Sequence, residues 1–448
     1  MKKYFSLLLS TVFFAVMFSP ANANAPVDCK LQENSYPRNL NNHLFSAFPA
    51  LDYNIPATGN FTIAIIPVHF SDLPADSDPY EYVKNDMDMF VDYFKVQSSG
   101  KVNFQWRKSP VSILLPGSSQ DYAVTRSTFD INFAQMAIAS SDPYFDYTGI
   151  QNVVFILPKN QQILPHGVQG FYRLTHSQRI YTNESMINNY MFAGRYFVDY
   201  PGHATWSYWA HELLHGFALP DLYPQPWSRT VRNLRPEGAD GWGAYNGWDI
   251  MADQDGPSRS ISTWTKWTLG WLENNQVLCQ SPSEFNNQKI SLVYNEDSKP
   301  GIKSIIIPFT STKALVIESR RETKFNRQSS GDNVDDGILV YEIDTTRGHG
   351  EMPILPIKRN AKINIKDSHR TPPYYDALLD LGETIQYENL YIKYISNSAV
   401  DQVVVSTLPI IEEVKSNPEP TSTTIQKPEP KKKKAKKKIP VKKRSANA

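Results

Sequence analysis

The stretch that decides the reading is 209–223, WAHELLHGFALPDLY. Within it His211, Glu212 and His215 spell H-E-x-x-H. On an α-helix, residues i and i+4 share a face. The two imidazoles then stand about one turn apart, the spacing with which both bind one Zn2+ at ~2.0–2.1 Å. Glu212 lies next to His211, within reach of a water at such an ion, as general base and then proton donor to a leaving amine. The five residues alone would equally describe a surface helix with two hydrogen-bonded histidines. Catalytic zinc usually takes three protein ligands and leaves a position open. Asp221, six residues past His215, is a candidate for the third. The spacing H-E-x-x-H-x-x-A-x-x-D lets the chain turn after the helix and return an oxygen ligand. WDIM (248–251) follows His215 by about 36 residues and places Met251 for a turn beneath the metal.

Upstream, the first 25 residues read as a signal peptide. Lys2 and Lys3 open it, an apolar run spans Phe5 to Phe18, and ANANA (21–25) offers small-x-small cleavage sites. The run is shorter than the roughly 20 residues a bilayer span needs. The expected product is a soluble, secreted protein. Its two cysteines, Cys29 and Cys279, rule out a cysteine-rich metal site. In an oxidising compartment they are expected to form a disulfide. Two free thiols, or Cys29 capping the metal as a thiolate, are the alternatives.

The chain of 448 residues has room for two or three domains. FTIAIIPVHF (61–70) reads as a buried strand. Val83, Met87, Val91 and Phe94 recur at helical spacing, predicting an amphipathic helix over 80–97 that Gly100 stops. KVNFQW (101–106) puts Val102, Phe104 and Trp106 on one strand face. VSILL (111–115) and NVVFIL (152–157) read as two more strands, an α/β layout. The site helix follows, then a long loop over 224–247 of the kind that is usually functional or a lid. ISTWTKWTLGWL (261–272) reads as a helix ending near Gly270. From about 285 the texture changes to short β-rich runs: KSIIIP, ALVIE, ILVYEID, YIKYI and QVVVS. The division expected is a strap or short pro-segment at 26–58, a catalytic domain at 59–280, a β-sandwich-like domain at 285–411 and a disordered Pro/Lys-rich tail at 412–448.

At this point the chain resembles the immune inhibitor A-type metallopeptidases, secreted bacterial zinc proteases close in motif to the metzincins. The resembling residues are HELLHGFALPDLY (211–223), NGWDIM (246–251) and STWTKWTLGWL (262–272). Weaker echoes are IIPVHFSD (65–72), YFKVQSSGKVNF (93–104), ALVIESRRE (314–322) and DDGILVYEID (335–344), so the likeness runs from about 60 to 405. It implies an α/β (α+β) metzincin-like catalytic domain followed by a β-sandwich-like domain. It implies His211, His215 and Asp221 as zinc ligands, Glu212 as the catalytic acid/base and Met251 as the Met-turn residue. One departure stands out. The family usually has Gly where Ala218 stands, and Gly permits the left-handed turn that ends the helix. Ala there costs on the order of 1 kcal/mol. Asp253 occupies the position that some metzincins fill with an oxyanion-stabilising Tyr. Tyr245, Tyr223 and His203 are the candidates left for that role.

Other features carry plainer readings beside sharper ones. Asp249 in WDIM is a turn cap or a ligand, the cap being the simpler. GDNVDDG (331–337) clusters Asp332, Asp335 and Asp336; a Ca2+ site is the alternative there to an ordinary acidic turn. Trp206, Trp209, Trp242 and Trp248 line a substrate cleft or fill the core. Charge is uneven. The tail holds 12 Lys and Arg against 4 Asp and Glu, and 26–411 holds 32 basic against 41 acidic residues. A body of net −9 argues against nucleic-acid binding. The basic tail suits an anionic cell surface or simply solubility. The expected activity is endopeptidase hydrolysis of a protein or peptide by a zinc-activated water with Glu212 as general acid/base. The alternatives are a catalytically weak cell-surface binding or adhesion module on the same fold, and a zinc hydrolase of a non-peptide amide.

Overall fold

The computed structural model describes residues 28–34, 44–49, 55–122, 131–162, 172–173, 179–192, 204–223, 247–254, 256, 258–326, 336–358 and 377–410. Residues 1–25, read above as a signal peptide, nearly all of the expected loop at 224–247, most of the GDNVDDG segment and the lysine-rich tail lie outside them. The chain runs β1 (Gly59–His69), α1 (Lys84–Gln97), β2 (Val102–Lys108), β3 (Ile113–Leu114), α2 (Ile131–Ser141), β4 (Ile150–Ile156), β5 (Tyr172–Arg173), β6 (Ile180–Tyr181), β7 (Met186–Ile187), β8 (Asn189–Phe192), α3 (Thr205–Gly216) and α4 (Thr263–Thr268). It continues as β9 (Val277–Cys279), β10 (Gln288–Leu292), β11 (Ser304–Pro308), β12 (Lys313–Arg320), β13 (Gly337–Asp344), β14 (Ile354–Pro356), β15 (Leu378–Leu379), β16 (Thr384–Tyr387), β17 (Leu390–Asn397) and β18 (Asp401–Ser406). The fold is mixed α and β, with several sheets and few helices.

The first sheet has the order β2-β1-β4-β8-β5, with β3 paired to β1. Its β1, β2, β3, β4 and β8 pairings are parallel, and β5 joins antiparallel. Side chains alternate across a strand. Ile63 and Ile65 of β1 face a cluster with α1 and α3; Ala64, Ile66 and Val68 face a second cluster with α2. A strand covered on both faces reads as continuously apolar, which explains 61–70. Helix α2 is missing from the sequence reading. Phe133, Ala134, Ala137 and Ile138 are its buried face, a helical spacing legible in hindsight.

Two further sheets follow, one of order β10-β18-β17-β16 and one of order β14-β13-β12-β11-β9 with β15 on β13. Leu315 and Ile317 of β12 meet Ile392, Val403 and Val405 of the smaller sheet in one apolar layer. The opposite face of β12, Ala314 and Val316, belongs to the same cluster as α1, α3 and α4. The apolar core is therefore continuous across residue 280.

Cys29 and Cys279 form a disulfide, so Cys29 is not a thiolate for the metal. The N-terminal residues pack on α4: Phe48 stands edge-on to Trp264 and Trp267, and Trp264 Nε1–H donates to the Ser46 carbonyl at 2.6 Å. Helix α4 begins with Ser262 as N-cap and ends before Gly270 at φ +73°. Its first N–H, on Thr263, donates to the buried Glu318 of β12 at 2.6 Å. A carboxylate at a helix N-terminus is favourable, so the larger C-terminal sheet is fixed to the helix beside the Trp248–Met251 turn.

Candidate metal centre

Helix α3 is placed from both ends by other elements. Its N-cap, Ala204, has no side-chain acceptor. Asp86 of α1 takes that role across the core, accepting the Trp206 N–H at 2.8 Å. At the other end Leu219 N–H reaches the Leu214 carbonyl and Ala218 N–H reaches that of His215. This is the 6→1 and 5→2 pair of a Schellman motif, with Ala218 left-handed at φ +65°. The backbone thus makes the turn with alanine in the place of glycine. The N-terminal strap finishes the helix: Phe45 N–H donates to the Ala218 carbonyl at 2.7 Å and Ile55 N–H to that of Gly216 at 3.1 Å.

His211 is buried and His215 half-buried, their ring centroids 5.1 Å apart. His211 Nδ1–H donates to the Ile250 carbonyl at 2.9 Å, and His215 Nδ1–H to that of Leu219 at 2.7 Å. A carbonyl can only accept, so each imidazole is held with its Nε2 directed inward. Both Nε2 atoms face Asp221 Oδ1, at 3.2 and 3.3 Å. The three donor atoms lie within 4.8 Å of one another. The edge of a ligand tetrahedron around an ion at ~2.0–2.1 Å is about 3.3 Å. Two nitrogens and a carboxylate oxygen also form a donor set that zinc accepts, so the residues fit the metal the sequence implies.

The electrostatics agree. Burial works against charge on both histidines, but the Asp221 and Glu212 carboxylates outweigh it. They lift His211 to about 9 and raise His215. Burial likewise opposes charge on Asp221, yet the two histidines hold its carboxyl well below the ordinary carboxylate range. Without a metal the cluster gathers protons between its nitrogens and the carboxylate; a cation there must displace them.

Ile250 and Met251 sit in a turn whose carbonyls accept from His211 and, at 2.9 Å, from the Leu222 N–H. Asp249 caps that turn, Oδ1 accepting the Met251 N–H and Oδ2 the Ser262 N–H. Glu212 is half-buried beside His211. Tyr223 stacks on His211 with centroids 6.4 Å apart. Trp206, Trp209 and Trp248 are buried in the core. His203, Trp242, Tyr245, Asp332 and Asp335 lie outside the described residues, and with them most of the possible Ca2+ site.

One residue of the centre was invisible in the sequence. His349, 128 residues beyond Asp221, accepts the Asp221 N–H on Nδ1 at 2.9 Å, and its Nε2 lies 3.4 Å from Asp221 Oδ2. It sits in RGHG (347–350), a lone histidine between glycines with no partner at a telling spacing.

No protein-family model matches this chain, and no curated protein matches it.

Proposed function

We propose that the chain is a secreted endopeptidase with a metzincin-like catalytic region whose zinc is held by His211, His215 and Asp221. The observation that carries this reading is the pair of 3.2 and 3.3 Å separations between the two Nε2 atoms and one Asp221 oxygen, with both Nδ1 atoms already committed to carbonyls. Zinc in that position supplies Lewis-acid polarisation of a carbonyl and a lowered pKa for water. The chain supplies the rest. Glu212, next along the helix from His211, takes the proton of the attacking water and delivers it to the departing nitrogen. The Ile250 carbonyl, accepting from Nδ1–H, fixes the His211 ring. The Ala218 departure, which motivates the binding-module alternative, does not divert the chain from bringing Asp221 back to the histidines.

The test uses residues 26–448 secreted from an exporting host, with cleavage of an unfolded protein and bound zinc both measured. The wild type is expected to cleave and hold about one zinc per chain. Glu212→Ala should keep the zinc and lose about 10²–10⁴-fold in rate, the range for a removed general base. Zinc absent from the wild type, or full activity in the variant, overturns the reading.

A further inference from the structure

We infer, resting on the zinc reading of the site, that His349 is a positioning residue for the third ligand, so that the larger C-terminal sheet helps build the metal centre. His349 follows β13 on a turn held from within. Gly348 N–H donates to Glu351 Oε2 at 2.8 Å, Arg347 pairs with Asp344 at 3.3 Å, and Gly350 takes φ +70°. The strap adds Asn34 N–H to the Thr345 carbonyl at 3.0 Å.

From that turn two residues grip Asp221. Gly350 N–H donates to its carbonyl at 3.0 Å, and His349 Nδ1 accepts its N–H at 2.9 Å. An Nδ1 that accepts leaves the imidazole proton on Nε2, the nitrogen 3.4 Å from Asp221 Oδ2. The carboxylate is thereby divided. Oδ2 faces a donor, and Oδ1 is turned toward His211 and His215. Neither His349 nitrogen then has a lone pair for an ion, and His349 does not join the three-residue cluster whose donor atoms lie together. Its work is to fix both the backbone and the rotamer of Asp221, the ligand that comes from irregular chain after the helix. Groups that orient a ligand in this way typically carry about 10- to 100-fold in metal affinity.

The experiment measures zinc affinity by competition with a chelator, and the visible spectrum after cobalt substitution, on residues 26–448. The proteins are the wild type, His349→Ala, His349→Leu, His349→Gln and His211→Ala. We expect the alanine and leucine variants to bind zinc about 10- to 100-fold more weakly and to show an altered cobalt spectrum. His349→Gln, whose amide can both accept and donate, is expected to recover part of the loss. Wild-type affinity and an unchanged spectrum in the alanine and leucine variants overturn the inference while leaving the zinc site standing. If alanine does not fold, leucine, which keeps the bulk, carries the comparison; failure of both to fold assigns His349 a structural role and also overturns it. If the wild type and His211→Ala alike hold no zinc, the reading of the site falls, and this inference with it.

Discussion

Ala218 carries a local cost where the chain turns back to bring Asp221 to the two histidines. Its left-handed φ of +65° puts Cβ against the following carbonyl, a conformation that costs L-residues roughly 1–2 kcal/mol and glycine nothing. The Schellman hydrogen bonds and the Phe45 N–H hold it there. Ala218→Gly is expected to raise unfolding free energy by about 0.5–1 kcal/mol, once the greater freedom of glycine in the unfolded chain is set against the relieved strain. Denaturant melts check it, with no change expected in zinc stoichiometry. Lys266 stores a different cost. Burial pushes its ammonium down to about 7; Lys303 and Arg320 push the same way, and Glu296 and Glu318 oppose them. Above pH 7 the unfolded chain keeps a proton on this lysine that the folded chain has released. Proton binding therefore favours the unfolded state, and this residue's contribution to stability rises with pH between about 7 and 10.5. The slope is at most ~1.4 kcal/mol per pH unit. Thermal melts at pH 7 and 9 should show a smaller rise for Lys266→Met than for the wild type. Equal rises would mean that Lys266 is not the source.

Helix α3 illustrates how an element gets its ends. Its sequence has no N-terminal capping side chain, and its first turn would expose unsatisfied N–H groups in the core. Asp86, on α1, supplies the acceptor, although burial raises its own carboxyl to about 6. Asp86→Ala should destabilise the protein by about 0.5–2 kcal/mol, the range for a lost cap. Because the cap sits at the far end of the helix from His215, zinc stoichiometry at low denaturant should be unchanged. A variant of wild-type stability would refute the capping role. Helix α4 shows the same logic at a buried charge. Glu318 accepts from Thr263 N–H and from Tyr341 Oη–H, and it pairs with buried Arg320. Removing one partner of a buried pair leaves the other uncompensated, which costs about 3–5 kcal/mol.

On the scale of the molecule, three long-range ties converge behind the His211, His215 and Asp221 cluster. The Cys29–Cys279 disulfide closes a span of 250 residues. The strap it secures caps α3 at Gly216 and Ala218, and the turn bearing His349 grips Asp221. Replacing both cysteines by serine is expected to cost about 2–5 kcal/mol, chiefly by freeing the unfolded chain. Equilibrium unfolding of that variant, beside the wild type, measures it. The continuous cluster from Cys29 to Leu378 sets a further expectation. A fragment ending at 284 loses the β12 and β13 side chains that cover α4, and loses His349 with them. It should not fold into a zinc-binding unit, and a fragment that did would disprove the shared core.

What the sequence determined by itself is local and periodic. H-E-x-x-H places two imidazoles on one helical face whatever surrounds them. The apolar run at 61–70, the Val102/Phe104/Trp106 alternation and the β-rich texture after 285 announced strands, because side-chain period follows from backbone geometry. The turn to Asp221 was legible from spacing. Tertiary structure decided the rest. Nothing local says that Asp86 caps a helix more than 100 residues away, that a lone histidine at 349 meets Asp221, or that the strap closes the site helix. Such contacts depend on which surfaces the core brings together, and packing is set by volumes and faces summed over the whole chain rather than by any short stretch of it.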